Sequence, residues 1–352
     1  MHPLIGLTKN ILVSNLSELK NPYKITHILT YRCQFKCTMC NIWERKPSQE
    51  LTAGQIAEFY KRSSGLSWIN LSGGEIFLRT DLLEIIRAID KYCKSAYLLN
   101  FPTNGYQTEV IVDTVKEIIS STTFPRIMVT VSLDGPPKLH DRIRNMPGSW
   151  DRAVETYERL RMLKNSRFNV YFGMTLQDAN AQAFEETVHS VRQRIGHIQY
   201  RDFHVNVLHT SGHYYGNADC CGLRDEQQVI NGLKRIRKLR GAGLFDPVGF
   251  LERQYQKMAI QYLRDKKVPV KCQALAASFF MDPAGMVYPC SVFDDPIGNI
   301  RDFGYDLHAF WNSFQRRSAR QEISKGNCPH CWTPCEAYQN ILGNLLPFFR
   351  RR

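Results

Sequence analysis

Between about residue 24 and residue 210 the sequence repeats one plan: a short apolar run, a polar turn, then an amphipathic stretch with helical periodicity. Strands are expected near 24–31, 68–72, 96–103, 126–132, 169–175 and 204–208, with helices around 53–62, 81–91, 108–120, 151–164 and 183–194. Thr52, Thr80 and Ser149 suit the N-cap positions of three of these helices, because a short hydroxyl side chain can accept from a first-turn amide. Parallel neighbours need a crossover connection, so this alternation predicts a parallel sheet with helices outside it. Six units are too few to close an eight-stranded barrel. They fit an α/β fold with a partial, TIM-like (β/α)6 barrel that is open on one side.

In barrels of this kind chemistry collects at the C-terminal ends of the strands. Four polar motifs follow predicted strands: the loop Tyr31-Arg-Cys-Gln-Phe-Lys-Cys-Thr-Met-Cys-Asn-Ile-Trp43, then Ser72-Gly-Gly-Glu75, Thr103-Asn-Gly105 and Ser132-Leu-Asp-Gly135. The first carries Cys33, Cys37 and Cys40, and no further cysteine appears until Cys93. Iron–sulfur cubes are normally held by four thiolates, so three closely spaced cysteines leave one iron open to a substrate or cofactor. The competing readings are buried core cysteines or a zinc loop with a distant ligand. Zinc usually takes paired Cys-x2-Cys or Cys/His sets, and core cysteines have no reason to be interspersed with Arg32, Gln34, Lys36 and Thr38.

The spacing Cys-x3-Cys-x2-Cys, with Phe35 inside it and Trp43 just after, resembles the signature of the radical S-adenosylmethionine (SAM) enzymes. That resemblance implies a partial (β/α)6 barrel and a [4Fe–4S] cluster on Cys33, Cys37 and Cys40 whose open iron is chelated by SAM. It also implies reductive cleavage of SAM to methionine and a 5′-deoxyadenosyl radical, hydrogen abstraction from a substrate, and an electron donor such as flavodoxin or ferredoxin. Gly73, Gly74 and Glu75 match the family's Gly-Gly-Glu motif for the amino acid end of SAM, although Ile76 replaces the proline commonly found next. Ser132 and Asp134 are assigned to the ribose hydroxyls, and Thr103 and Asn104 to the methionyl or ribose part. Gly173 to Leu176 would lie against adenine, with Met39 and Trp43 as flanking or core residues. An Asp-Gly turn that merely caps a helix is the plain alternative for Asp134.

A second cysteine-rich segment starts at Cys272. Cys272 and Cys290 enclose Gly285, and Cys328-Pro-His-Cys331-Trp-Thr-Pro-Cys335 follows. This resembles the SPASM and twitch extensions of radical SAM enzymes, which carry two auxiliary clusters and one respectively. A full SPASM domain uses seven cysteines and five are present, so one auxiliary [4Fe–4S] cluster is expected, on Cys272, Cys290, Cys328 and Cys331, with Cys335 as a substitute ligand or a free thiol. Zinc is the competing metal for such a set. Cys93 reads as packing. Cys220 and Cys221 read as a loop pair near the substrate entrance, and His204, His209 and His213 as strand and loop residues.

The expected organisation is an N-terminal amphipathic segment 1–22, the core barrel 23–215, a helical connector 216–265 with helices at 225–239 and 250–264, the auxiliary domain 266–340, and a basic tail 341–352. With 352 residues and 43% hydrophobic content, the chain can bury a large core. No apolar run reaches the length of a membrane span and the N-terminus lacks a signal-peptide pattern, so a cytoplasmic location is expected. Eleven cysteines in such a chain point to metal or catalysis rather than disulfides. The net charge of +13 favours anionic partners. Leu345-Leu-Pro-Phe-Phe followed by three arginines combines an apolar wedge with a cationic end, and residues 4–19 place Leu4, Ile5, Ile11, Leu12, Leu16 and Leu19 roughly at helical spacing. This suggests that one or both chain ends make peripheral contact with an anionic membrane. Aromatic residues are not interleaved with a basic stripe, and no nucleic-acid partner is expected. The substrate class stays open among peptides, small molecules and lipid-linked molecules. The rival from another class is a non-catalytic iron–sulfur or zinc protein that senses redox state or binds nucleic acid.

Overall fold

The computed structural model describes residues 2–45, 49–63, 65–240 and 246–346. Six parallel strands are ordered as they occur in the chain: β1 (Lys24–Thr30), β2 (Trp68–Gly73), β3 (Leu98–Thr103), β4 (Arg126–Ser132), β5 (Phe168–Leu176) and β6 (Phe203–Val207). Each lies within two residues of its predicted position. Helix α1 (Pro3–Ser14) precedes them, and α2 (Ala53–Lys61), α3 (Leu82–Tyr92), α4 (Thr108–Ser121), α5 (Pro137–Arg144), α6 (Ser149–Arg161) and α7 (Phe184–Ile195) connect them. Then come α8 (Glu226–Arg240) and α9 (Pro247–Asp265), strands β7 (Ser278–Met281), β8 (Met286–Tyr288) and β9 (Gly298–Asn299), and helices α10 (Leu307–Trp311), α11 (Phe314–Lys325) and α12 (Pro334–Leu342).

Local sequence accounts for most of these boundaries. Thr52 caps α2 in a capping box with Gln55, as its position before the helix predicts. The other two cap assignments are corrected. Asp81 occupies the α3 cap without a side-chain bond, and Gly148, with φ of 75°, occupies the α6 cap. Ser149 lies inside α6 and donates to Asp141 Oδ1 at 2.9 Å. Helix α5 lies outside the predicted helices; its first proline sits at the cap and the second at the first helical position, where no amide is needed.

The sheet does not close on itself. Strand β7 pairs in parallel with β1, Lys24 opposite Ser278, and β8 and β9 extend it antiparallel, giving the order β6-β5-β4-β3-β2-β1-β7-β8-β9. Strands β7–β9, within the segment 266–340, therefore continue the barrel's own sheet. One hydrophobic core runs from Ile25 through Val205 and Tyr255 to Trp311, Trp332 and Ile341. Helix α9, in the expected connector, packs on β6 and α12 and closes the side that six strands leave open. Among the described residues no helix is long and apolar enough to cross a membrane.

Candidate active site

A strand shows alternate residues to opposite faces, and the inward set here is unusually polar. Asn70 and Ser72 on β2, Asn100 on β3, Thr130 and Ser132 on β4, Gly173 and Thr175 on β5, and His204 and Asn206 on β6 line one internal cavity of about 360 Å³. Val248, Leu251 and Glu252 of α9 and Pro334, Cys335 and Tyr338 of α12 form its lateral wall, while Tyr214 and Tyr215 come from the rim loop after β6. Part of the floor holds itself together: Trp68 Nε1 donates to Asn100 Oδ1 at 2.7 Å, and Asn100 Nδ2 donates to Asn70 Oδ1 at 2.7 Å.

Cys33, Cys37 and Cys40 all face this cavity from the loop after β1. Phe35, Met39 and Ile143 pack around Cys37. Burial pushes the thiols of Cys33 and Cys40 up to about 12 and raises Cys37 as well, with neighbouring thiols adding to the rise at Cys33 and Cys40. Thiolates at such positions need a cationic centre between them. The backbone amides of Phe35 and Ile42 act in the opposite direction, bonding to the sulfurs of Cys33 and Cys40, as amides around iron–sulfur thiolates do. Among the described residues no three His, Cys, Asp or Glu side chains are drawn to a single point as for one bare ion. A cube instead takes each thiolate on a different iron, so three thiols spread along one cavity wall fit it.

The neighbouring motif is built to approach this loop closely. A Cβ on Gly74 would lie 2.3 Å from Arg32 O and 2.8 Å from Cys33 Cβ, and one on Gly73 would lie 2.4 Å from Thr30 O. Gly73, Gly74, Thr103, Asn104 and Ser132 line the cavity, while Glu75 is buried at 2% exposure behind that lining. Its Oε2 accepts from Asn104 N at 2.7 Å and Thr103 Oγ1 at 3.0 Å, tying the end of β2 to the end of β3. Burial raises the Glu75 carboxyl to about 7, against the pull of those donors. Asn104 Nδ2 is buried without a protein partner, which leaves a donor for a ligand in this cavity.

Asp134 is placed differently from the sequence reading. It is fully buried, accepts from Thr175 N at 2.8 Å and forms an ion pair with Arg144 Nε at 2.7 Å. Asn180 Nδ2 bonds the Asp134 carbonyl at 2.8 Å. The carboxylate is thus directed at Arg144, whose Nη1 lies 3.9 Å from Cys37 Sγ. Ser132 faces the cavity and Asp134 supports it from behind. Met39 is buried among the loop's own packing, and Trp43 lies under Lys36, 4.7 Å from the ring centroid.

The second cysteine group gathers around Cys290. The free thiol of Cys331 hydrogen-bonds with that of Cys290, and Cys272, Cys328 and Cys335 each lie near enough to feel its charge. Ala274 N approaches Cys272 Sγ at 3.4 Å and Phe293 N approaches Cys290 Sγ at 3.3 Å, again as amides donating to sulfur. Gly285, with φ of 85°, makes the β7–β8 turn that returns the chain toward Cys290. Cys335 also faces the main cavity and shares it with Cys33, Cys37 and Cys40, while Cys272, Cys290, Cys328 and Cys331 lie behind that wall.

Comparison with known proteins gives two family matches: the radical SAM superfamily over residues 27–191, and the SPASM iron–sulfur cluster-binding domain over residues 272–344. The chain belongs to the radical SAM superfamily. This radical SAM enzyme is 24% identical over 327 residues to the AdoMet-dependent heme synthase of Methanosarcina barkeri, covering 88% of each chain. It is 22% identical to the sporulation killing factor maturation protein SkfB of Bacillus subtilis, over 79% of this chain and 62% of SkfB. In fold it is similar to Streptococcus suis SuiB bound to S-adenosylmethionine, with TM-score 0.58 at 14% identity, covering 86% of this chain and 68% of SuiB. SAM and a [4Fe–4S] cluster are the cofactors of the barrel domain, and the SPASM domain brings auxiliary iron–sulfur binding.

Several residues of the radical SAM site were not visible beforehand. Arg144 lies on the unexpected α5, and Val248, Leu251, Glu252 and Tyr338 reach the cavity only because α9 and α12 pack across the open side. A partial signal existed for Lys24, Asn70 and Asn100, which are polar residues at the edge of or inside apolar strand segments.

Proposed function

We propose that the chain abstracts hydrogen from an organic substrate held in the cavity between Cys33, Cys37 and Cys40 and the wall bearing Cys335. The observation that carries this reading is that Cys33, Cys37 and Cys40 line one chamber together with Cys335, which neighbours the second thiol group. With SAM bound, the three-cysteine [4Fe–4S] site supplies reductive cleavage of SAM and hence a 5′-deoxyadenosyl radical. The protein's task is placement and exclusion of water. Gly73 and Gly74 admit close approach of backbone, Asn104 Nδ2 offers a free donor, and Ser132 and Thr175 present polar atoms beside Gly173, where an adenosyl group can lie against bare backbone. Arg144 holds a positive charge beside Cys37.

Cys272, Cys290, Cys328 and Cys331 would hold one auxiliary [4Fe–4S] cluster, with Cys335 on the side facing substrate. Its position beside the chamber suits acceptance of an electron from the substrate, which would complete an oxidation. A peptide is one substrate class this supports, since SuiB has been solved with its precursor peptide SuiA and the fold is shared; a small or lipid-linked molecule is the other. The electron donor would be an acidic flavodoxin or ferredoxin, drawn to a chain of net charge +13. Contact with an anionic membrane through the chain ends is part of the same proposal. Asn15, just after α1, bonds Leu342 O at 2.7 Å and Leu346 N at 3.2 Å, so the basic C-terminal sequence departs beside a helix exposing Leu4, Ile5 and Leu12. The tail residues from 347 onward lie outside the described residues.

The experiment is anaerobic reconstitution followed by iron analysis and assay for 5′-deoxyadenosine. Iron equivalent to two cubes with SAM cleavage is expected; one cube with tightly held zinc would reassign the second thiol group.

A further inference from the structure

The loop carrying Cys33, Cys37 and Cys40 is held from outside by the rim loop that follows β6. Asn217 Nδ2 donates to Met39 O at 2.8 Å, and Asn41 N donates to Tyr215 O at 2.8 Å. Two further contacts come from adjacent cysteines. Asn41 Nδ2 lies 3.3 Å from Cys220 Sγ, and Cys221 Sγ donates to Thr38 O at 3.5 Å. The two sulfurs are 3.3 Å apart, and Cys220 is exposed. Neither thiol lines the main cavity, and the chemistry proposed above uses neither.

We propose that Cys220 and Cys221 are a reversible dithiol–disulfide site, oxidised by a small-molecule disulfide, and that oxidation releases the outer clamp on the loop of Cys33, Cys37 and Cys40. In the exchange the small molecule's S–S bond breaks and the Cys220–Cys221 bond forms. The two thiol protons and the electron pair leave with two small thiols, so the protein is oxidised and the disulfide reduced. Adjacent Cα atoms lie about 3.8 Å apart, below the usual disulfide range of about 4.4–6.8 Å. Such a strained ring is readily reduced again, as a reversible mark requires. Once oxidised, Cys221 has no proton to donate to Thr38 O, and bonding turns the Cys220 sulfur toward its neighbour and away from Asn41. The thiol chemistry stands independently of the proposed function; its effect on SAM cleavage rests on that reading.

The test uses the reconstituted protein under anaerobic conditions with excess oxidised glutathione, followed by alkylation and tryptic digestion. The peptide 202–224 contains both thiols and no other cysteine. Treated samples should lose both alkylation sites and the mass of a hydrogen pair, with full recovery after dithiothreitol. 5′-Deoxyadenosine formation should fall on oxidation and recover on reduction, whereas Cys220→Ser and Cys221→Ser, whose hydroxyls can still reach Asn41 and Thr38, keep the untreated rate and cannot close the ring. A peptide still alkylated at both thiols, or carrying only mixed disulfides, overturns the site. Ring closure with an unchanged rate overturns the clamp. If no sample cleaves SAM, the proposed function fails instead, and hydrogen exchange in 33–41 decides: faster exchange after oxidation is expected, and unchanged exchange rejects the clamp.

Discussion

Asp134 and Arg144 show how one buried pair can serve a metal loop, the carboxylate acting through the guanidinium that reaches Cys37. The carboxylate is fully buried and the guanidinium nearly so, at 0% and 12% side-chain exposure. Asp134 and Cys37 both raise the Arg144 pKa against the effect of burial, so the charge persists beside the thiol. Replacing Arg144 with methionine leaves Asp134 unpaired, at a cost of about 3–5 kcal/mol. A lower melting temperature and reduced iron at the barrel site are expected, with partial recovery in the double variant with Asp134→Asn; an unchanged iron content would reject the role. Gly74→Ala makes a sharper test, because the added Cβ meets carbonyl backbone at 2.3 Å. The variant should lose the barrel cluster while keeping the auxiliary cluster's absorption, and retention of both would show that the loop can move aside.

At the scale of elements, strand placement was legible because apolar runs bounded by polar turns leave few choices, and each predicted strand is present. What the sequence hid depends on contacts between distant segments. Helix α5 was masked by Pro136 and Pro137, and the roles of α9 and α12 as cavity walls follow from packing that no local pattern encodes. The same holds at single positions: the motif residues Gly73, Gly74, Thr103, Asn104 and Ser132 reach the cavity, whereas Asp134 is withdrawn to Arg144. Helix α1 buries Leu7 and exposes Leu4, Ile5 and Leu12 at 43%, 56% and 55%, a helix apolar on both faces and so short of a partner. Sedimentation with vesicles containing anionic lipid should pellet the protein, less so for Leu12→Glu and less in high salt. Equal recovery with neutral vesicles, or none with either, would remove the membrane from the account.

Across the whole molecule, one core and one sheet join the barrel to the cysteine-rich segment. A chain ending at residue 265 would expose β1's edge and lose the part of that core from Ala274 to Ile341, and is expected to be insoluble or to unfold without a cooperative transition; a cooperative melt would show two independent domains. Acid should destabilise the fold as well. Burial lowers His27 to about 3 and His209 and His213 to about 4. The unfolded chain therefore binds protons below about pH 6.5 that the native state refuses, and stability falls as pH drops through that window. Glu75 and Glu336, both raised to about 7, act in the opposite direction but are fewer. Melting temperatures at pH 7 and pH 5 check the sign. The central claim is that Cys33, Cys37 and Cys40 hold the iron at which SAM is cleaved. Its most direct test is 5′-deoxyadenosine formation by the reconstituted protein and by the variant with alanine at all three positions. The account predicts turnover in the first and none in the second, with the auxiliary absorption preserved; SAM cleavage by the triple variant, or none by the reconstituted parent, would contradict it.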